Sequence, residues 1–250
     1  IVIEDSNGNQ FVWIPTGTYQ TSNGVKTNNL ARRTFTSTGA TEVTADNGDG
    51  VVEIDYYGEG STKYPSIAKN QIAAFKASAE SVAKGGNGGF YIGRYEQGTG
   101  NVCKYNQTPY VNVTIDTAKS RAEAMYRGKN NNVVSELISS YAWDTALNFI
   151  CQTNSTGYKL ATITSRDYGN FYPGNRQNTG TYSADNYSNI HDLLGNCYEW
   201  TTESLRRDSS PGVRRGGGYY SNLVEAAYRN GSTTSGTTDG ISFRLQLYVK

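Results

Sequence analysis

Asn189-Ile-His-Asp-Leu-Leu-Gly-Asn-Cys-Tyr-Glu-Trp200 is the stretch whose reading decides the fold of this chain. It sets two carboxylates, Asp192 and Glu199, on either side of a Gly195-Asn196 turn. Two further blocks follow, Val213-Arg-Arg-Gly-Gly-Gly-Tyr-Tyr220 and Ile241-Ser-Phe-Arg-Leu245, which read as core strands. Between them, residues 219–239 are dominated by Tyr, Asn, Ser, Thr and Gly and hold no cysteine.

Upstream, Phe11-Val-Trp-Ile-Pro15 is an apolar run closed by proline and predicts a strand, with a second short strand at 18–20. Residues 21–65 read as irregular, with candidate strands at 33–37 and 51–57 that suggest a hairpin. Pro65 opens a predicted helix over 66–84, whose Ile67, Ile72, Phe75, Ala79 and Val82 form one apolar stripe. Gly89-Phe-Tyr-Ile-Gly-Arg-Tyr-Glu96 alternates as a strand does. A second helix is expected over 117–126 with Asp116 as N-cap, and a third over 133–151. A short strand is expected over 158–163. Beyond Ser165 helix signals disappear into loops and short strands.

The 250 residues suffice for a substantial core. Hydrophobic residues are only 36%, but 20 Tyr add apolar area. A net charge of +1 argues against nucleic acid as a partner. No apolar run approaches the ~20 residues of a membrane span. The sequence opens on Ile1 with no signal peptide in view, as a trimmed chain would. Cys103, Cys151 and Cys197 are odd in number and far apart, fitting neither a disulfide framework nor a zinc spacing.

The blocks around Trp13, Phe90–Glu96, Asp192–Trp200, Arg215–Gly217 and Phe243, in this order, resemble the formylglycine-generating-enzyme (sulfatase-modifying factor) family. The resemblance implies an α+β, C-type-lectin-like fold over residues 1–250 as a single domain, with 21–88 as an insertion. It also implies a test of chemistry. The family's enzymes bind copper through two cysteine thiolates just after the Arg-Gly-Gly turn, and those positions fall here on Ser221 and Ala226. A hydroxyl and a methyl cannot replace two soft thiolates, so the expected reading is non-enzymatic. The lone His191 rules out a multi-histidine iron site within this chain and reads as a loop residue hydrogen-bonded to backbone. No phosphate-binding loop is present. His191 beside Asp192 in sequence does not make a triad, and Asn-x-Ser/Thr sequons such as those at Asn106, Asn112 and Asn154 are what chance yields in so Asn-rich a chain.

By the same resemblance, Asp192 and Glu199 (side chains) with Gly195 and Cys197 (carbonyls) are the candidate ligands of a structural calcium, and no other cofactor is expected. The alternative is that both carboxylates pair with backbone N–H groups or arginines.

The polar, Tyr-dotted stretch between two core strands has the chemistry of a paratope. It resembles the variable proteins of diversity-generating retroelements, which keep this scaffold and diversify this stretch. That resemblance implies a phage-virion or bacterial-surface protein whose partner is a protein or glycan on a cell or phage surface. Implied contact residues are Tyr219, Tyr220, Asn222, Leu223, Tyr228, Asn230, Ser232, Thr234, Ser235, Thr237 and Asp239, with Trp200, Arg215, Ala227, Phe243 and Arg244 as frame. A formylglycine-type oxidase and a purely structural surface protein are the alternatives.

Overall fold

The computed structural model describes residues 1–43, 51–52, 65–81, 88–128, 132–205, 212–221 and 224–249. The N-terminal part runs β1 (Val2–Glu4), β2 (Gln10–Pro15), then two hairpins, β3 (Gly17–Thr21) with β4 (Gly24–Asn28) and β5 (Arg32–Thr36) with β6 (Gly39–Val43). After β7 (Val51–Val52) come α1 (Pro65–Glu80), β8 (Gly89–Gly93), α2 (Ile115–Ala124), β9 (Val133–Leu137), α3 (Ser140–Thr153) and the helical turn α4 (Lys159–Thr162). The C-terminal part is β10 (Asn186–Tyr187), β11 (Ile190–His191), β12 (Tyr198–Leu205), β13 (Gly212–Arg215), β14 (Asn230–Ser232), β15 (Ile241–Phe243) and β16 (Leu245–Val249). This is the α+β, C-type-lectin-like arrangement expected.

One sheet has the order β1-β2-β8-β16-β9 and joins both ends of the chain. Period-two alternation sends Val12 and Ile14 into one apolar cluster with α1 and α3, where Phe75, Phe90 and Trp143 sit. Phe11, Leu245 and Leu247 face a second cluster with Ile115, Trp200 and Phe243. The inner strands β2, β8 and β16 are therefore packed on both faces, while β1 at the edge is largely exposed. The other sheet, β14-β13-β12-β15 with β7 also against β12, carries the C-terminal blocks.

Several sequence expectations are corrected. The apolar run over 133–151 is two elements, not one helix. Val133–Leu137 pairs with β16 as a sheet strand, and Ser139 then caps α3, its side chain accepting from Ala142 N. A strand demanding a partner outcompetes helix propensity here. The cap of α2 is Thr114, which accepts from Thr117 N, while Asp116 lies in the first turn, where its charge still favours the helix dipole. The strand expected over 158–163 is α4, closed by local bonds from Leu160 N to Gly157 O and Ala161 N to Tyr158 O. The candidate strands at 33–37 and 51–57 do not pair with each other. The first pairs with Gly39–Val43, and Val51–Val52 pairs with β12. Residues 53–57 and the helix end at 82–84 lie outside the described residues.

Candidate functional site

The face in question rests on β12, β13 and β14, and its support lies underneath. Strand alternation turns Arg215 inward and Arg214 outward. Arg215 donates to Asp144 Oδ1 (2.7 Å) and Glu203 Oε1 (2.7 Å), all three side chains fully buried. Arg229 donates to the remaining oxygens, Asp144 Oδ2 (2.5 Å) and Glu203 Oε2 (2.6 Å). Two arginines and two carboxylates thus close a ring of alternating charge. Burial alone would raise the Asp144 carboxyl, but Arg215 and Arg229 outweigh it and hold its pKa below the usual range. The same carboxylates hold the Arg229 guanidinium above its usual value against the opposing effect of burial. The β5–β6 hairpin, expected only as part of an insertion, takes part as well. Arg33 N donates to Asp144 Oδ2 (2.7 Å), and Arg33 O accepts from Arg229 Nη1 (3.2 Å).

This ring reorganises the expected recognition loop. Residues 219–239 are not one free loop between core strands. Ala226 is fully buried, and its carbonyl accepts from Trp143 Nε1 (3.2 Å). Ala227 N donates to Ala161 O, and Arg229 enters the ring. Asn230–Ser232 then forms β14 on the sheet edge. The segment is therefore two exposed pieces on a buried post. Gly217 makes this possible: it has φ +75, and a Cβ there would lie 2.2 Å from Val224 O.

Tyr220 and Tyr228 are exposed (41% and 52%), as are Ser235, Thr237 and Asp239. Tyr219, Asn230, Ser232 and Thr234 are half-buried. Tyr219 Oη donates to Asp239 Oδ2 (3.1 Å), pinning two predicted contact residues together. Asn222 and Leu223 lie outside the described residues. Exposed residues missed by the sequence reading join the face. Tyr172 is exposed and its N–H reaches Ser221 O, while Arg176 donates to Asp239 O (2.5 Å). Only the tertiary fold brings residues 172–176 beside 219–239.

Ser221 Oγ pairs with Tyr198 Oη (2.7 Å), and Ala226 is sealed beneath Trp143. The three thiols are free and buried, and burial raises their pKa: about 11 at Cys103, about 12 at Cys151, well above the ordinary value at Cys197. Such thiols are poor nucleophiles at neutral pH.

The Asp192–Glu199 turn is held by another arginine. Arg244 grips both oxygens of Glu199 (2.7 and 3.0 Å) and donates to Gly93 O and His191 O. Glu96 accepts from Cys197 N and Asn196 Nδ2, both at 2.7 Å, and Asp192 Oδ2 accepts from Gly180 N (2.6 Å). Burial lifts Asp192 to about 7. Among the described residues no three or more His, Cys, Asp or Glu side chains are arranged to hold a metal. Glu199 is committed to Arg244, while Asp192 Oδ1 and both carboxylate oxygens of Asp185 are buried with no hydrogen-bond partner among the described residues. His191 departs from expectation too. Its ring stacks on Tyr95 (5.0 Å), and among the described residues neither ring nitrogen has a hydrogen-bond partner. Burial, with Arg94 and Arg244 nearby, lowers its pKa to about 4 and keeps it neutral.

The fold has solved counterparts at low identity. PvdO from Pseudomonas aeruginosa matches with TM-score 0.56 at 14% identity, covering 99% of this chain and 98% of that one. CarF matches with TM-score 0.50 at 14% identity, covering 65% and 88%. Treponema denticola variable protein 1 matches with TM-score 0.41 at 13% identity, covering 64% and 84%. A search of curated proteins returned no match. The profile of the sulfatase-modifying factor enzyme 1-like domain family matches residues 3–247, and the chain belongs to that family.

Proposed function

We propose that this protein binds a target rather than transforming one, as a retroelement-diversified variable protein of a phage or bacterial surface. Its partner is a protein or glycan on a cell or phage surface, and residues 219–239 supply the contacts. The observation that carries this reading is the division of that segment. Ala226 and Arg229 are locked into the core, while Tyr220 and Tyr228, close to them in sequence, stand half exposed. A rigid frame with large aromatic side chains on its outer face loses little entropy on contact. The positions of the family's thiolates carry Ser221 and Ala226, which favours binding over copper-dependent oxidation. In this reading Arg244 takes the structural role of a bound cation in the Asp192–Glu199 turn.

The decisive test is genomic and biochemical together. A near-copy of codons 213–245 beside a reverse-transcriptase gene, differing mainly at adenines, is the expected finding. Stoichiometric Cu(I) binding with turnover of a cysteine-containing peptide would end this reading in favour of an oxidase.

A further inference from the structure

Among the described arginines from Arg176 onward, Arg214 is the exception. Arg215 and Arg229 each bind two carboxylates, Arg244 binds Glu199, and Arg176 bonds the carbonyl of Asp239. Arg214 is partly exposed at the middle of the face, and among the described residues no carboxylate pairs with it. It is nonetheless held in place. Its guanidinium carbon lies 4.5 Å from the Tyr198 ring centroid, and Nε donates to Asn230 Oδ1 (3.4 Å). Tyr198 is fixed in turn by Ser221 Oγ and by the Tyr220 ring, 5.7 Å away. Stacking and one side-chain acceptor fix the plane of the fork, and the neighbours that do so carry no charge. A guanidinium ordered in advance, with its terminal nitrogens unclaimed by any described carboxylate, is suited to bidentate capture of one.

We propose that Arg214 is the docking point for a carboxylate side chain of a protein partner, seated beside Tyr198 and Tyr220. The proposal rests on the binding reading above and specifies its chemistry. A protein partner is favoured over a sugar acid because the exposed aromatic area is spread out. Tyr172, Tyr220 and Tyr228 are each 41–53% exposed, and among the described residues no ring contact joins the three into one ring-sized slot.

The test uses the full chain, 15N-labelled, with arginine Nε–Hε resonances as the readout. The probe is N-acetyl-glutamate N-methylamide, and its glutamine counterpart is the control. The expected result is a saturable shift at Arg214 with the carboxylate and a response at least ~10-fold weaker with the amide. Arg214→Lys is expected to weaken carboxylate binding about 10-fold, since an ammonium lacks the fork, with an unchanged melting temperature showing an intact fold. Arg127, whose side chain is 70% exposed, is the internal reference. An equal shift at Arg127, or none at Arg214, would overturn the proposal. So would tighter binding of the methyl glycoside of N-acetylneuraminic acid than of the glutamate probe. Loss of the Arg214 shift leaves the binding reading intact, whereas copper-dependent turnover would remove that reading with the shift still present.

Discussion

Arg214 and Arg215 are adjacent on one strand and live in opposite worlds. Arg215 is sealed between Asp144 and Glu203, and Arg214 looks outward across Tyr198. The same division separates the whole charged frame beneath the second sheet from the tyrosine-bearing face above it. The frame keeps the charges of Asp144, Glu203, Arg215 and Arg229 by pairing them with one another. The face keeps its side chains available because the frame beneath carries the structural load. Substitutions should therefore cost much on one side of β13 and little on the other.

The sharpest way to break this comparison is Arg215→Ala. It strands Asp144 and Glu203 with one arginine between them, and breaking such a buried pair typically costs about 3–5 kcal/mol. Denaturant unfolding should register that loss, and a change below about 1 kcal/mol would mean the ring is not what holds the face. Arg229→Ala removes the other arginine, whose side chain is 12% exposed, so a smaller loss of about 2–3 kcal/mol is expected. Proteolysis within residues 219–239 should rise in this variant, because the post between the two exposed pieces is gone.

Asp192→Asn sharpens the picture through pH. The folded pKa of Asp192 is raised to about 7 by burial, against an ordinary value of 3.8. Between those values the folded state holds a proton that the unfolded state has released, so this group loses stability as pH rises through that window. The asparagine should be more stable than the parent at pH 8 by on the order of 4 kcal/mol, with the gap closing toward pH 4. His191 works the other way. With its folded pKa lowered to about 4, its contribution is lost as pH falls from about 6.5. Comparing Asp192→Asn with the parent at each pH cancels that background.

Tyr228→Ala lies on the exposed side and should alter stability by less than about 0.5 kcal/mol. A larger loss would show that the face is part of the frame. The smallest expected effect is that of EDTA. With Arg244 supplying the positive charge beside Glu199, chelation should leave the melting temperature unchanged, and a clear drop would reinstate calcium at the Asp192–Glu199 turn.

Much of the frame was legible in advance. The blocks at 189–200, 213–220 and 241–245 pointed to the fold, and Trp200, Arg215, Phe243 and Arg244 are all fully buried as expected. What failed were the places where local pattern and long-range pairing disagree. Val133–Leu137 carries an apolar spacing that continues into a helix, yet β16 claims it as a strand. Residues 219–239 have the composition of a loop, yet the paired alanines Ala226-Ala227 and the charge at Arg229 mark an internal anchor that composition hides. Those three residues, out of place in a polar run, were the available signal.

The sequence by itself determined the class of the molecule: its lectin-like scaffold, the absence of a thiolate pair at Ser221 and Ala226, and a Tyr-rich segment between two strands. The scaffold follows from the family resemblance that those blocks carry, and the other two are properties of residue identity and spacing. Only the tertiary structure decided that Arg215 and Arg229 are spent while Arg214 faces outward, because pairing Asp144 and Glu203 with Arg215 and Arg229 requires side chains up to 85 positions apart to meet. Charge neutralisation inside a protein is settled by proximity in space, and nothing along the chain announces it.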